Sequence, residues 1–209
     1  MKIMTSFFEA FIKCPTKCWL RAKSETPSGN TYAEWVRSQD ESFRSTETER
    51  LLAGTPPGES ARAPAAENLK SAKWQFAVDI PVLFVFGNTR DDKSQTSPPE
   101  NSQSLLTSAA AIETCLHAVE RIPSAGRGQP AQFVPVRFIC RNKFTKDDKL
   151  LLAFDAFVLS EMLGRAVSLG KIIHGDDHAT LKLKTSAPGR RSAETPRENH
   201  CAARQPRAP

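Results

Sequence analysis

The stretch from Pro130 to Lys184, PAQFVPVRFICRNKFTKDDKLLLAFDAFVLSEMLGRAVSLGKIIHGDDHATLKLK, decides the fold of this 209-residue chain. Gln132–Cys140 (QFVPVRFIC) has the β-branched and aromatic composition of a strand. Thr145, with Asp148 three residues on, forms a capping box that opens a helix. Leu150–Leu163 is apolar nearly all round, which predicts a helix packed on more than one side. Gly164 stops it. Ser168–Ile173 and Thr180–Lys184 read as two short strands joined by the turn HGDDHA.

Working outward toward the N-terminus, Ile112–Ile122 alternates apolar and polar residues and reads as a strand. The glycine- and proline-rich PSAGRGQP makes it a hairpin partner of Gln132–Cys140. Lys73–Phe86 (KWQFAVDIPVLFVF) has strand composition, with Pro81 marking a kink or an edge. Gly87–Gln103 is a polar loop, and Ser104–Ala111 is a short helix or the lead-in to the next strand. Ala53–Ser71 reads as a linker around Gly-Thr-Pro-Pro-Gly.

Thr5–Arg21 has helical spacing, broken in two by Pro15, which fits a first turn and not a helix interior. A further helix is predicted over Thr31–Leu52, with Thr31 and Glu34 as a capping box, Tyr32, Trp35 and Val36 as anchors, and Gly54 as the stop. The expected organisation is a helical segment over 1–54, a linker over 55–72, an α/β core over 73–187 and a tail over 188–209.

Composition bounds the function classes. The net charge is +6. Residues 185–209 carry five arginines against two glutamates, half of that excess, with four prolines and no aliphatic side chain larger than alanine. That tail is expected to be disordered. The abrupt change after Ala187 is consistent with a frameshift or truncation. No apolar run approaches the roughly 18 residues of a membrane span, and the start lacks a signal peptide's apolar region. The expectation is a cytoplasmic chain with no membrane partner. No P-loop, nucleotide-binding glycine fingerprint or hydrolase elbow is present.

Five cysteines (14, 18, 115, 140 and 201) form no disulfide framework. Cys115 and Cys140 sit in strand-like segments and are expected to be buried thiols. Cys14 and Cys18 are spaced to share one helix face.

Together with FIKCPTKCWLRA (Phe11–Ala22), the Pro130–Lys184 stretch resembles the RecB-like branch of the PD-(D/E)XK nucleases. The resemblance is strongest over Leu116–Ala187. It implies an α/β fold of the restriction-endonuclease type: a small mixed sheet flanked by helices, preceded by a helical segment. It also implies metal-dependent cleavage of DNA, single-stranded or at duplex ends, with magnesium or manganese held by two acidic residues and a lysine on adjacent strands.

In that register CLHAVER puts His117 at the first acidic position, with Glu120 nearby. FVPVRFIC puts Arg137 at the second acidic position and Ile139 at the lysine position. On the following helix, where the family often carries a glutamine, DKLLLAF offers Leu151 or Leu152. His117, Glu120 and Arg137 are therefore the candidate catalytic positions of a degenerate motif. Arg137 in place of a carboxylate repels a metal but can bind phosphate. Relocated metal ligands would be Asp79, Glu113 or Glu120, each more simply a solvated strand-end carboxylate.

The resemblance makes Cys14 the first ligand of an iron–sulfur cluster, with Cys201 the start of the distal cysteine group. Such clusters need four ligands, so a complete one is not expected within this chain. The turn residues His174, Asp176, Asp177 and His178 could hold zinc or manganese, though Gly-Asp-Asp is ordinary turn chemistry.

Arg121, Arg127, Arg137, Arg141, Lys143 and Lys146 form a candidate nucleic-acid-binding cluster around the two strands and the helix start. A RecB-like nuclease module, truncated and weak or inactive, is the first reading of function. A DNA-binding or scaffold protein that kept the fold and lost the chemistry is the second. A small interaction domain is the third.

Overall fold

The computed structural model describes residues 2–23, 29–85, 111–124, 126 and 130–185. The elements are β1 (Lys2–Met4), α1 (Thr5–Lys13), α2 (Pro15–Ala22), α3 (Thr31–Ala53), β2 (Ser60–Arg62), a 3-10 turn (Ala66–Leu69), β3 (Phe76–Val85), β4 (Ala111–Ile122), β5 (Gln132–Ile139), α4 (Lys146–Leu163), β6 (Leu169–His174) and β7 (Ala179–Lys184). They form an α/β fold on one mixed, open sheet of seven strands. Its order is β2-β3-β4-β5-β6-β7, with β1 beside β4.

β3, β4 and β5 run antiparallel in succession, and β6 and β7 close as a hairpin. β5 and β6 are parallel. A parallel pair needs a long crossover, and α4 supplies it. Its capping box is present: Thr145 accepts from the Asp148 amide, and the Asp148 carboxylate accepts from the Thr145 amide at 2.7 Å. Gly164 ends the helix in the left-handed conformation that a Cβ would penalise.

The core lies on both faces of the sheet. Ala156, Val158, Leu159 and Leu163 of α4 pack with Ile80, Val82, Ile112 and Leu116. Val78, Ala118, Val136, Phe138 and Ile173 form a second cluster against Phe43, Leu51 and Leu52 of α3. Ile139, Leu152 and Ile172 form a third, smaller one.

Several expectations change. The cap of α3 is Asn30, whose side chain accepts from the Ala33 amide, and not Thr31. Tyr32 and Trp35 do not anchor that helix: they are 70% and 58% exposed, because the sheet reaches only its second half. Cys115 is exposed and Cys140 half-buried, so neither is a core thiol. Cys115 points away from the Ile112–Leu116 face, and Cys140 lies just past the end of β5.

The predicted 55–72 linker contains β2, which pairs in parallel with Phe76–Val78, and the 3-10 turn that buries Leu69. β1 was not legible either, since its three residues gain a strand only by pairing with Ala111–Glu113. Pro15 opens α2 as expected. The loop assigned to Gly87–Gln103, nearly all of Ser104–Ala111 and the tail over 188–209 lie outside the described residues.

Candidate functional site at the opening between β4 and β5

β3 covers one edge of β4 over almost its whole length. On the other edge β5 pairs only with Ala118–Ile122, and β1 pairs with Ala111–Glu113. Thr114–His117 therefore face an opening in the ladder. An unpaired backbone N–H there has to find another acceptor. Phe138 donates its N–H to the imidazole Nδ1 of His117 at 3.2 Å, and the two rings lie 5.7 Å apart.

The register continued one step past Ala118↔Val136 sets His117 opposite Arg137. The Arg137 side chain is buried and donates to the Asp155 carboxylate of α4 at 3.0 Å. Glu9 of α1 stands on its other side at 3.7 Å and is partly exposed. A buried guanidinium without carboxylates would be prohibitively costly, so these partners are what allow it there. Burial pushes the Asp155 carboxyl up to about 6, outweighing the Arg137 charge that favours ionisation. Burial also holds the His117 imidazole well below 6.5, with the Arg137 and Arg44 charges adding to the effect. It is neutral at pH 7, consistent with Nδ1 acting as an acceptor.

Beside this cluster, Arg44 of α3 donates to Asp79 at 2.6 Å and to the Cys115 sulfur at 3.3 Å. Asp79 has a φ of 53°, a conformation that costs a non-glycine residue energy within a strand. It sits between the paired residues Val78 and Ile80, across from His117.

Of the candidate catalytic positions, His117 and Arg137 come together and Glu120 does not. Glu120 lies in the third residue pair beyond the opening, bound to Lys171 of β6. Ile139 packs with Leu152 and Ile172. Leu151 and Leu152 are core residues, and the side chain that α4 turns into the site is Asp155.

Asp155 and Glu9 carry no motif, and Asp155 had one available signal. It is the single charge within LLLAFDAFVL, and a charge on a buried helix face demands a partner.

The relocated-ligand alternatives are dispersed: Asp79 pairs with Arg44, Glu113 with Lys2 and Glu120 with Lys171. The HGDDH turn is also dispersed. His178 turns toward the buried Glu47 of α3 at 2.6 Å, Asp176 accepts from Asn142, and His174 leans on Phe144.

The residues present do not fit a divalent metal. A guanidinium stands between the two carboxylates, and the imidazole lone pair at Nδ1 is spent on Phe138. Among the described residues no group of three or more His, Cys, Asp or Glu could hold a metal ion. The cysteines among the described residues are dispersed. Cys14 is exposed at the α1–α2 junction, Cys115 lies on β4, Cys140 lies just past the end of β5, and Cys201 is outside the described residues.

The candidate nucleic-acid cluster is divided. Arg121 lies at the end of β4 paired with Phe133. Arg141, Lys143 and Lys146 lie past the opposite end of β5. Arg141 is held by Asp148 at 2.9 Å, Lys143 and Lys146 are exposed, and Arg127 is outside the described residues. Arg137 is not available on the surface.

Among the described residues no helix is long and apolar enough to cross a membrane. No family model matches the chain, and no curated protein matches it.

Proposed function

We propose that this chain is a RecB-like nuclease-fold module, of the restriction-endonuclease type, that binds DNA with weak or no metal-dependent cleavage. A cytoplasmic setting belongs to the same proposal. The observation that carries it is the internal ion pair between Arg137 and Asp155 at the opening between β4 and β5. The resemblance makes these two strands the carriers of the catalytic residues, and they are adjacent, antiparallel and parted at that register. Where a divalent cation would need carboxylates free to coordinate it, the chain supplies a fixed cation of its own. The DNA-binding reading is favoured over full nuclease activity for that reason.

The test is a cleavage assay on single- and double-stranded DNA with magnesium or manganese, with His117→Ala and Glu120→Ala beside the wild type. The expected result is no metal-dependent cleavage, with DNA binding that weakens steeply as salt rises, because phosphate contacts release counterions. Cleavage by the wild type that a variant abolishes would overturn the non-cleaving part. Absence of any DNA binding would overturn the proposal as a whole.

A further inference from the structure

The first half of α3 stands clear of the sheet and carries two exposed aromatic rings one turn apart. Tyr32 and Trp35 lie 6.0 Å apart with planes inclined by only 27°. They border a groove of about 630 Å³ that runs between α1, α3 and the end of β5. Buried aromatics are ordinary. Two neighbouring rings that are 70% and 58% exposed are not, because large apolar side chains left together in water are costly.

The charges around the groove are unequally engaged. Its two acids each accept a hydrogen bond from a neutral donor: Asp40 from the Cys140 thiol at 2.8 Å, and Asp176 from Asn142 at 3.2 Å. Of its two cations, Lys13 makes no ion pair among the described residues. Arg141 binds one oxygen of Asp148 and leaves most of its donors facing solvent, with the side chain 55% exposed.

The groove draws on two elements, α1 and the end of β5, that also carry Glu9 and Arg137 of the site described above. Lys13 lies one turn along α1 from Glu9, and Arg141 lies four residues past Arg137. Flat ring faces beside cations with free donors suit a strand whose bases are unpaired and whose phosphates lie alongside. Every base has a π-face, whereas a duplex keeps its faces stacked internally.

We infer that Tyr32 and Trp35 are a stacking platform for single-stranded nucleic acid, with Lys13 and Arg141 as its phosphate contacts. This rests on the DNA-binding reading and deepens it by naming the strand form and the surface.

The test uses the full chain and a fluorescently labelled oligothymidylate, with affinity read by anisotropy and the quenching of tryptophan emission read in parallel. Tyr32→Ala and Trp35→Ala should each weaken binding about tenfold, as loss of a base–aromatic stack does. Trp35→Phe should retain most of the affinity. Trp19→Ala, an exposed ring outside the groove, should leave affinity unchanged. A duplex of equal length should bind more weakly than the single strand.

Both rings are exposed, so the variants are expected to fold, and circular dichroism checks this. Salt-sensitive binding that the double variant leaves at wild-type strength would overturn this inference and leave the DNA-binding reading standing. A wild-type chain that binds no oligonucleotide would overturn both. A double variant that changes only the oligomeric state would assign the rings to a contact between copies and overturn the platform.

Discussion

Asp155→Asn distinguishes two physical descriptions of the buried Arg137–Asp155 pair. If attraction to the guanidinium dominated, the Asp155 carboxyl would titrate below its ordinary value and the pair would stabilise the fold more as pH rises. The structure gives the opposite balance: Asp155 is 2% exposed, and burial pushes it from 3.8 up to about 6. The folded state then holds the proton over a range in which the unfolded chain has released it. Stability from this group is fully present below about pH 4 and is lost as pH rises through about 6. A rise from 3.8 to about 6 corresponds to about 3 kcal/mol.

The assay is urea unfolding of wild type and Asp155→Asn at a series of pH values from about 3.5 to about 7.5. Subtraction of the two curves removes other groups that titrate alike in both proteins. It leaves a constant offset for the altered contact with Arg137. The stability of the variant relative to wild type should rise by about 3 kcal/mol across the series, most of it between about pH 4 and pH 6. A flat difference would refute the reasoning, and one that falls with pH would show the ion pair dominating over burial. Arg137→Met sharpens the test. It leaves two carboxylates beside an apolar side chain and should cost about 3–5 kcal/mol near neutral pH. The loss should be smaller below the Asp155 pKa, where that carboxyl is neutral.

His117→Gln probes the same opening from the other strand. The wild-type imidazole is held neutral, with its pKa well below 6.5, so its stabilisation is present above 6.5 and lost as pH falls. The variant should show a flatter acid limb in the same unfolding series, and an unchanged limb would count against a neutral imidazole. Gly170→Ala should cost about 1–3 kcal/mol, because the new Cβ would stand 2.8 Å from Cδ2 of the buried Leu152. Adding Leu152→Ala should then cost less than it does in the wild-type background, measured by urea midpoints. Thr145→Ala removes the capping box of α4 and should cost about 1 kcal/mol by the same measurement. An effect indistinguishable from zero would mean that tertiary packing alone holds that helix end.

Much of the architecture was legible because it is local. The strand at 132–140, the capped helix after Thr145, the Gly164 stop and the closing hairpin each carry their own periodicity, cap or turn chemistry. Pro15 divided α1 from α2 because a missing N–H matters at any helix position except the first turn. The short strands β1 and β2 carry no such signal. Three residues cannot show a period, and both exist only through their pairing with β4 and β3. The exposure of Tyr32 and Trp35 was invisible for a related reason. Composition reads an aromatic as an anchor, but whether the sheet reaches it depends on the length of α3 beyond the strands it covers.

The sequence by itself determined the α/β character and the identities of the side chains at the two strand positions, His117 and Arg137. Only the tertiary structure decided what Arg137 does. Spacing along one strand is set by backbone geometry, so it can place Arg137 opposite His117. The carboxylates that neutralise Arg137 come from Glu9 on α1 and Asp155 on α4, more than a hundred residues apart in the chain. A buried charge selects its partners by distance through space and by the cost of leaving water, and neither quantity is written in the local sequence.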